Sequence, residues 1–289
     1  MSLSFTKLHG CGNDYLFVDC TGDCALPGSE QLPAIARYVS DRHTGVGSDG
    51  VILVCPGNGD GTDFRMEMYN ADGSRGMMCG NGIRSLGKYV YDHGLTTRRS
   101  LQIATDSGPK KLDLELDGGR VSRVRVEMGK AVLDGRKIPI DSDEQLINAP
   151  LEVAGQTWRV TCVSMGNPHC VTFDVDPDGI EDIARIGRQF ERHAFFPASV
   201  NTEFARVDSR TELTMRVWER GSGETFACGT GACAVVVAGA LTGRTDRHAT
   251  VHLRGGDLEI EYHQDGNVVM TGPTVEVFSA TVEIPDRLC

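Results

Sequence analysis

Basic residues are in deficit: 29 Lys and Arg stand against 40 Asp and Glu, a formal net charge of −11 over 289 residues. Such a chain repels polyanions. Its basic pairs, Arg98-Arg99 and Lys110-Lys111, are scattered rather than gathered into a stripe, which argues against a nucleic-acid partner. Long apolar runs are also missing. The longest, Ala232 to Leu241, is too short to span a bilayer, and Met1 to His9 lacks a basic start followed by an apolar run, so we expect no membrane partner and a cytoplasmic location. No Cys-x-x-Cys pair occurs among the ten cysteines. Cys20 and Cys24 lie four apart, and His169 sits between Cys162 and Cys170, but neither group offers four ligands, and no metal is expected. A chain this long with no dense, even cysteine spacing is not a disulfide scaffold, and reduced thiols are the default. A lysine or phosphate-cradle motif that would demand pyridoxal phosphate is absent as well, so the expected cofactor is none.

What the chain does have is the same cysteine-centred turn twice. Cys79-Gly80-Asn81-Gly82 recurs as Cys228-Gly229-Thr230-Gly231, 149 positions later. The match continues upstream in register, Met66 with Met215, Tyr69 with Trp218 and Asn70 with Glu219. At nearly the same offset Gly12-Asn13-Asp14 answers Gly166-Asn167-Pro168, Arg42-His43 answers Arg192-His193, and Asp117-Gly118 answers Asp265-Gly266. A period of half the chain is too long for a solenoid unit and implies two similar domains, with the ligand expected in a cleft between them.

Patterning supplies the elements. After Cys79, Ile83, Leu86, Gly87 and Val90 recur at helical spacing, so a helix starts in the glycine turn and turns one face to a core. After Cys228 the run is apolar all round, which predicts a helix enclosed on every side. Leu112, Leu114 and Leu116 alternate with acidic residues before Gly118-Gly119 and a return strand; Leu258, Ile260 and Tyr262 do the same before Asp265-Gly266-Asn267. Both read as hairpins. The fold class is therefore α+β, two pseudo-symmetric domains, each an antiparallel sheet curled around a central helix. The Gly-x-Gly turns open no βαβ unit of the dinucleotide-binding kind.

A thiol at a helix start sits among unpaired backbone N–H groups and at the positive end of the helix dipole. That environment cradles an anion and is expected to lower the thiol pKa. Two such turns would hold one carboxylate and put a thiol on each face of the neighbouring carbon, the arrangement that inversion at a stereocentre needs. A redox pair in a binding protein is the alternative from another class, but it leaves the polar residues around the turns unused.

The segment Asn70-Ala71-Asp72-Gly73-Ser74, followed after four residues by Cys79-Gly80-Asn81-Gly82-Ile83-Arg84, resembles the signature of diaminopimelate epimerases. The likeness extends to His9-Gly10-Cys11-Gly12-Asn13-Asp14, Asp41-Arg42-His43-Thr44-Gly45, Met165-Gly166-Asn167-Pro168-His169, Val200-Asn201 and Glu219-Arg220-Gly221 through Thr230-Gly231. The resemblance implies a cofactor-independent epimerase interconverting L,L- and meso-diaminopimelate on the route to lysine and peptidoglycan precursors, and usually a homodimer. It implies Cys79 and Cys228 as the acid/base pair. Asn13, Asn70, Asn167, Asn201, Glu219 and Arg220 would bind the substrate's polar groups, with backbone donors from Gly80, Asn81, Gly229 and Thr230, while His169 and Glu219 would tune the thiols. Domains of 1–128 plus 274–289 and of 129–273 are expected. Cys11 and Gly50 depart from the family's commonest pattern. A proline or hydroxyproline racemase is the nearest rival, and those enzymes favour His where Asn81 stands.

Overall fold

A computed structural model describes residues 1–22 and 28–288, so Cys24 and Cys289 lie outside the described residues. The chain divides into two compact units, Met1–Val126 with Gly272–Cys289, and Glu127–Thr271.

The first unit runs β1 (Ser2–Gly10), β2 (Asn13–Asp19), α1 (Leu32–Ser40), β3 (Gly50–Pro56), β4 (Phe64–Asn70), β5 (Arg75–Gly76), α2 (Gly80–Asp92), β6 (Ser100–Ala104), β7 (Lys110–Asp117) and β8 (Arg120–Lys130). The second runs β9 (Ala149–Val153), β10 (Gln156–Ser164), β11 (Pro168–Thr172), α3 (Ile183–Glu191), β12 (Asn201–Val207), β13 (Glu212–Glu219), β14 (Gly223–Glu224), α4 (Gly229–Leu241), β15 (His248–Leu253), β16 (Gly256–Tyr262) and β17 (Asn267–Pro273); β18 (Val275–Glu283) returns to the first unit beside β1.

The pairing pattern is the same in both. In the first unit β1 and β2 are antiparallel, β3 joins β2 in parallel, β4 is antiparallel to β3, β6 is parallel to β4, and β6, β7 and β8 form a meander. In the second unit β10 to β13 and β15 to β17 repeat that sequence of orientations. The α+β class holds. The sheets are mixed rather than wholly antiparallel, because α1 and α2, and likewise α3 and α4, sit in crossover connections, and a crossover delivers the next strand in parallel.

Each sheet is covered on both faces. Leu32, Ile35, Ala36 and Val39 of α1 pack on Leu16, Val18, Val51 and Leu53, while Ile52 and Phe17 point the other way, toward α2. That is why Val51-Ile52-Leu53-Val54 reads as an unbroken apolar run. In the second unit Phe190 of α3 meets Trp158 and Phe204 edge-on at 5.4 and 5.7 Å. On the opposite face α4 touches β10, β11, β12, β15 and β16, strands from both halves of the sheet, so the sheet wraps it.

Helix α2 differs from its expected form. It is buried on every side from Gly80 to Val90, not on one face. Its polar side chains are met inside the protein: Ser85 bonds Thr274 at 2.9 Å, and Lys88 donates to Asp92 at 2.7 Å and to the Val121 carbonyl at 2.6 Å. Pairing of this kind removes most of the cost of burying charge. Among the described residues no helix is long and apolar enough to cross a membrane.

Candidate active site

Both motif cysteines are helix N-caps with extended backbone, Cys79 on α2 and Cys228 on α4. In each unit the preceding strand pair (β4 with β5, β13 with β14) feeds the chain into the glycine turn that opens the helix. Both are thiols outside any disulfide.

Around Cys79 the structure gathers Asn13, Asn81 and three residues given no role in the sequence reading, Tyr15, Asp49 and Arg84. The Cys79 thiol donates to Asn13 Oδ1 at 3.3 Å and accepts from the Gly82 N–H at 3.4 Å. Asn81 Nδ2 donates to the same Asn13 oxygen at 3.3 Å. The Asn13 amide is in turn held by Asp49, whose Oδ2 accepts its Nδ2 at 2.7 Å, and Arg42 grips Asp49 at 2.9 Å. Arg84, fully buried, donates to Asn81 Oδ1 at 2.8 Å and to the Gly80 carbonyl at 3.1 Å. Burial pushes the Cys79 thiol up, opposed by the Gly82 N–H, the Tyr15 hydroxyl and the Arg84 charge. The Tyr15 phenol is itself held well above its ordinary range by burial and by its thiol neighbour, so it stays a proton donor to the sulfur.

Cys228 has different company. Glu203, also absent from the sequence reading, is fully buried, and its Oε1 accepts from His169 Nδ1 at 2.7 Å. His169 Nε2 meets Asn167 Oδ1 at 3.1 Å, and Thr230 Oγ1 lies 3.5 Å from the Cys228 sulfur. Ligand atoms of His169, Glu203 and Cys228 all fall within 4.8 Å of one another. Glu219, half-buried, accepts from the Thr225 hydroxyl at 2.5 Å. Burial raises its carboxyl above the usual range, against the pull of Thr225, His169 and Cys228. Burial, followed by the charges of Glu219 and Glu203, pushes the Cys228 thiol well above its ordinary value. The expectation that the helix starts lower both thiols is thus reversed: lost hydration outweighs the backbone N–H groups.

Three more of the expected site residues are held by partners of their own. Asn70 spends an amide N–H on Ser74 Oγ at 2.9 Å. Asn201 accepts the Arg220 N–H at 2.9 Å, and the exposed Arg220 side chain donates to the Ala198 carbonyl at 3.0 Å. Gly50 lies beside Asn70, and a Cβ there would come within 2.2 Å of the Tyr69 carbonyl oxygen, so this backbone admits no side chain at that position.

The duplication carries a signal that locates the missed residues. Extending the pairing of Asn13 with Asn167 by two positions aligns Tyr15 with His169, so each helix start has one ring neighbour from the strand after the first hairpin turn. Gly82 and Gly231 make the second pairing: a Cβ on Gly82 would strike Ile52 Cδ1 at 2.6 Å, and one on Gly231 would strike Glu203 Oε1 at 2.7 Å. Ile52 and Glu203 therefore fill the same niche, apolar beside one thiol and anionic beside the other.

The chain matches the family model described as diaminopimelate epimerase over residues 5–133 and 161–277. It belongs to the diaminopimelate epimerase family. It is 48% identical to the diaminopimelate epimerase of Acetivibrio thermocellus across 98% of this chain and 99% of that protein, and 49% identical to that of Agathobacter rectalis across 98% and 100%. Among solved structures it is similar in fold to a probable proline racemase from Agrobacterium radiobacter (TM-score 0.71, 13% identity, 98% of this chain and 93% of that one). A hydroxyproline epimerase from Agrobacterium vitis is comparable (TM-score 0.70, 13% identity, 99% and 94%). At that identity the likeness concerns the fold, whereas the family assignment rests on the near-full-length matches at about half identity.

Proposed function

We propose that this member of the family interconverts L,L- and meso-diaminopimelate by a cofactor-independent two-base reaction, with Cys79 and Cys228 as the acid/base pair. The observation that carries the proposal is that both thiols are the N-caps of duplicated, enclosed helices. In either direction one cysteine, as thiolate, takes the α-hydrogen as a proton, and the C–H electron pair passes into the substrate as a carbanion stabilised through its carboxylate. The opposite cysteine, as thiol, returns a proton to the other face, and the two sulfurs end with exchanged protonation. N–H groups of Gly80, Asn81, Gly229 and Thr230 bind the reacting carboxylate, each such donor being worth about 3 kcal/mol where charge develops in a water-poor site. Asn13, Asn70, Asn167, Asn201, Glu219 and Arg220 recognise the remaining polar groups, and His169 and Glu219 adjust the thiols.

The raised thiols are consistent with this chemistry. A resting site that keeps its sulfurs protonated leaves ionisation to the bound state, where substrate excludes water and the ammonium group of the substrate favours a thiolate nearby. Reduced thiols are a requirement, which suits a cytoplasmic enzyme. We further propose a homodimer in which a second copy covers β18, whose Val275, Val277 and Phe278 are 46%, 52% and 42% exposed.

Proton NMR of L,L-diaminopimelate with reduced protein in D2O tests the reaction. Loss of the α-proton signal with growth of the meso isomer is expected, and Cys79→Ser or Cys228→Ser should each abolish net epimerisation. Exchange of proline or hydroxyproline with diaminopimelate inert would reassign the substrate.

A further inference from the structure

We infer that His169, Glu203 and Cys228 form a binding site for a borderline-soft divalent cation of the zinc class, and that occupancy silences Cys228. The three residues are far apart in sequence and come from β11, β12 and the start of α4. Their ligand atoms lie within 4.8 Å of one another, and they offer one nitrogen, one oxygen and one sulfur. Zinc–ligand bonds of about 2.0–2.3 Å put the donors of a tetrahedral site roughly 3.4–3.7 Å apart, so closing the site needs shifts of about 1 Å. A mixed N/O/S set favours Zn²⁺ or Cd²⁺ over Mg²⁺ and Ca²⁺, which prefer all-oxygen shells.

A second observation points to a ligand. Glu203 Oε2 is completely buried and has no hydrogen-bond partner among the described residues. Leaving a buried carboxylate oxygen unmet costs free energy, and a cation taken up by the Glu203 carboxylate would offset that cost. Gly231 leaves the Glu203 carboxylate room against the helix start.

The outer shell also suits a metal. Histidine ligands are normally oriented by a hydrogen bond from the other ring nitrogen, and His169 Nε2 already faces Asn167 Oδ1 at 3.1 Å. On binding, the ring proton of His169 moves through solvent from Nδ1 to Nε2, where it is donated to Asn167 Oδ1, the freed Nδ1 lone pair takes the cation in place of the bond to Glu203, and the Cys228 thiol loses its proton to solvent as the sulfur–metal bond forms. Cys228 retains a small exposed area, and Asn167 and Thr230 beside it are half-buried, which supplies the way in. A sulfur bonded to the cation can neither accept nor donate a proton. This consequence rests on the catalytic role proposed for Cys228; the binding site itself does not.

Cadmium chloride titrated into desalted, reduced protein provides the test, read by the ultraviolet thiolate-to-cadmium charge-transfer band. One saturable equivalent is expected that Cys79→Ser keeps, Cys228→Ser abolishes, and Glu203→Gln weakens at least about tenfold, with magnesium giving no competition. His169→Gln stands in if Glu203→Gln lacks a native near-ultraviolet circular dichroism spectrum. A saturable band unchanged in Cys228→Ser, lost equally in Cys79→Ser, or indifferent to Glu203 and His169 overturns the site. In parallel, stoichiometric cadmium should stop growth of the meso isomer from L,L-diaminopimelate and EDTA should restore it; full epimerisation with the site loaded overturns the silencing. Metal-free protein that never exchanges diaminopimelate would fail the functional reading while the absorption titration still decides the site.

Discussion

Two thiols with the same backbone setting are given opposite electrostatic surroundings by a few side chains. Cys79 is met by Asn13, the Tyr15 hydroxyl, the Gly82 N–H and the Arg84 charge, and Cys228 by two carboxylates, Glu203 and Glu219. Burial raises both, but the first set opposes the rise and the second adds to it. The phenol of Tyr15 stabilises the ionised form of Cys79, and hydrogen bonds to charged groups are worth about 1.5–3 kcal/mol. Tyr15→Phe should therefore slow iodoacetamide alkylation of Cys79 at neutral pH roughly ten- to a hundredfold, followed by mass spectrometry of the Cys79 peptide. Alkylation that is unchanged or faster would show that Tyr15 does not support the thiolate. Cys11 has a positive φ of 54° in the hairpin turn and is buried, with Arg84 Nη2 3.9 Å from its sulfur. Its burial makes it a poor competitor for labelling reagents.

At the scale of elements, the enclosed helices are what hold the cysteines in place. Where α2 meets β3 the packing is close, since a Cβ on Gly82 would come within 2.6 Å of Ile52 Cδ1. Gly82→Ala should overpack that contact and cost roughly 1–3 kcal/mol, read from the urea midpoint. A stability equal to wild type would mean that Ile52 can move aside freely. Helix α4 is buried and apolar from Ala232 to Gly239. Helix α2 reaches the same enclosure with Arg84, Ser85 and Lys88 in its sequence, each paired internally.

For the whole molecule, buried thiols tie stability to pH. Cys170 and Cys228 are held well above the ordinary thiol value of 9.0, by burial first and then by Cys162 and by the glutamates respectively. Above pH 9.0 the unfolded chain releases these protons while the folded chain keeps them, so the unfolded state is favoured as pH rises. Stability should fall on the alkaline side by about 1.4 kcal/mol per pH unit for each such thiol. Urea unfolding between neutral and alkaline pH checks this, and Cys170→Ala should flatten the slope by about that amount; an identical slope would remove Cys170 from the account. Assembly offers a second check. Phe278→Glu places a charge in the exposed strip of β18 and should shift the proposed dimer to monomer in analytical ultracentrifugation, and a dimer that persists would move the interface elsewhere.

Local pattern was enough to determine that this chain has a duplicated α+β architecture, that Cys79 and Cys228 open helices, and where both hairpins turn at Gly118-Gly119 and at Asp265-Gly266. These features depend on residues close in sequence: a glycine turn, a helical repeat of apolar positions, a two-residue alternation. The tertiary structure alone decided the parallel neighbours in each sheet, since strand signals carry no orientation until the crossovers are placed. It also decided that α2 is enclosed although its sequence is amphipathic, because Ser85 and Lys88 find partners in Thr274 and the Val121 carbonyl, from distant segments. Tyr15 beside Cys79 and Glu203 beside His169 and Cys228 belong to the same group, as does the direction of the thiol shifts. Burial and pairing are sums over neighbours that the chain brings together only by folding, and desolvation, the largest influence on both thiols, cannot be read from the residues flanking a cysteine.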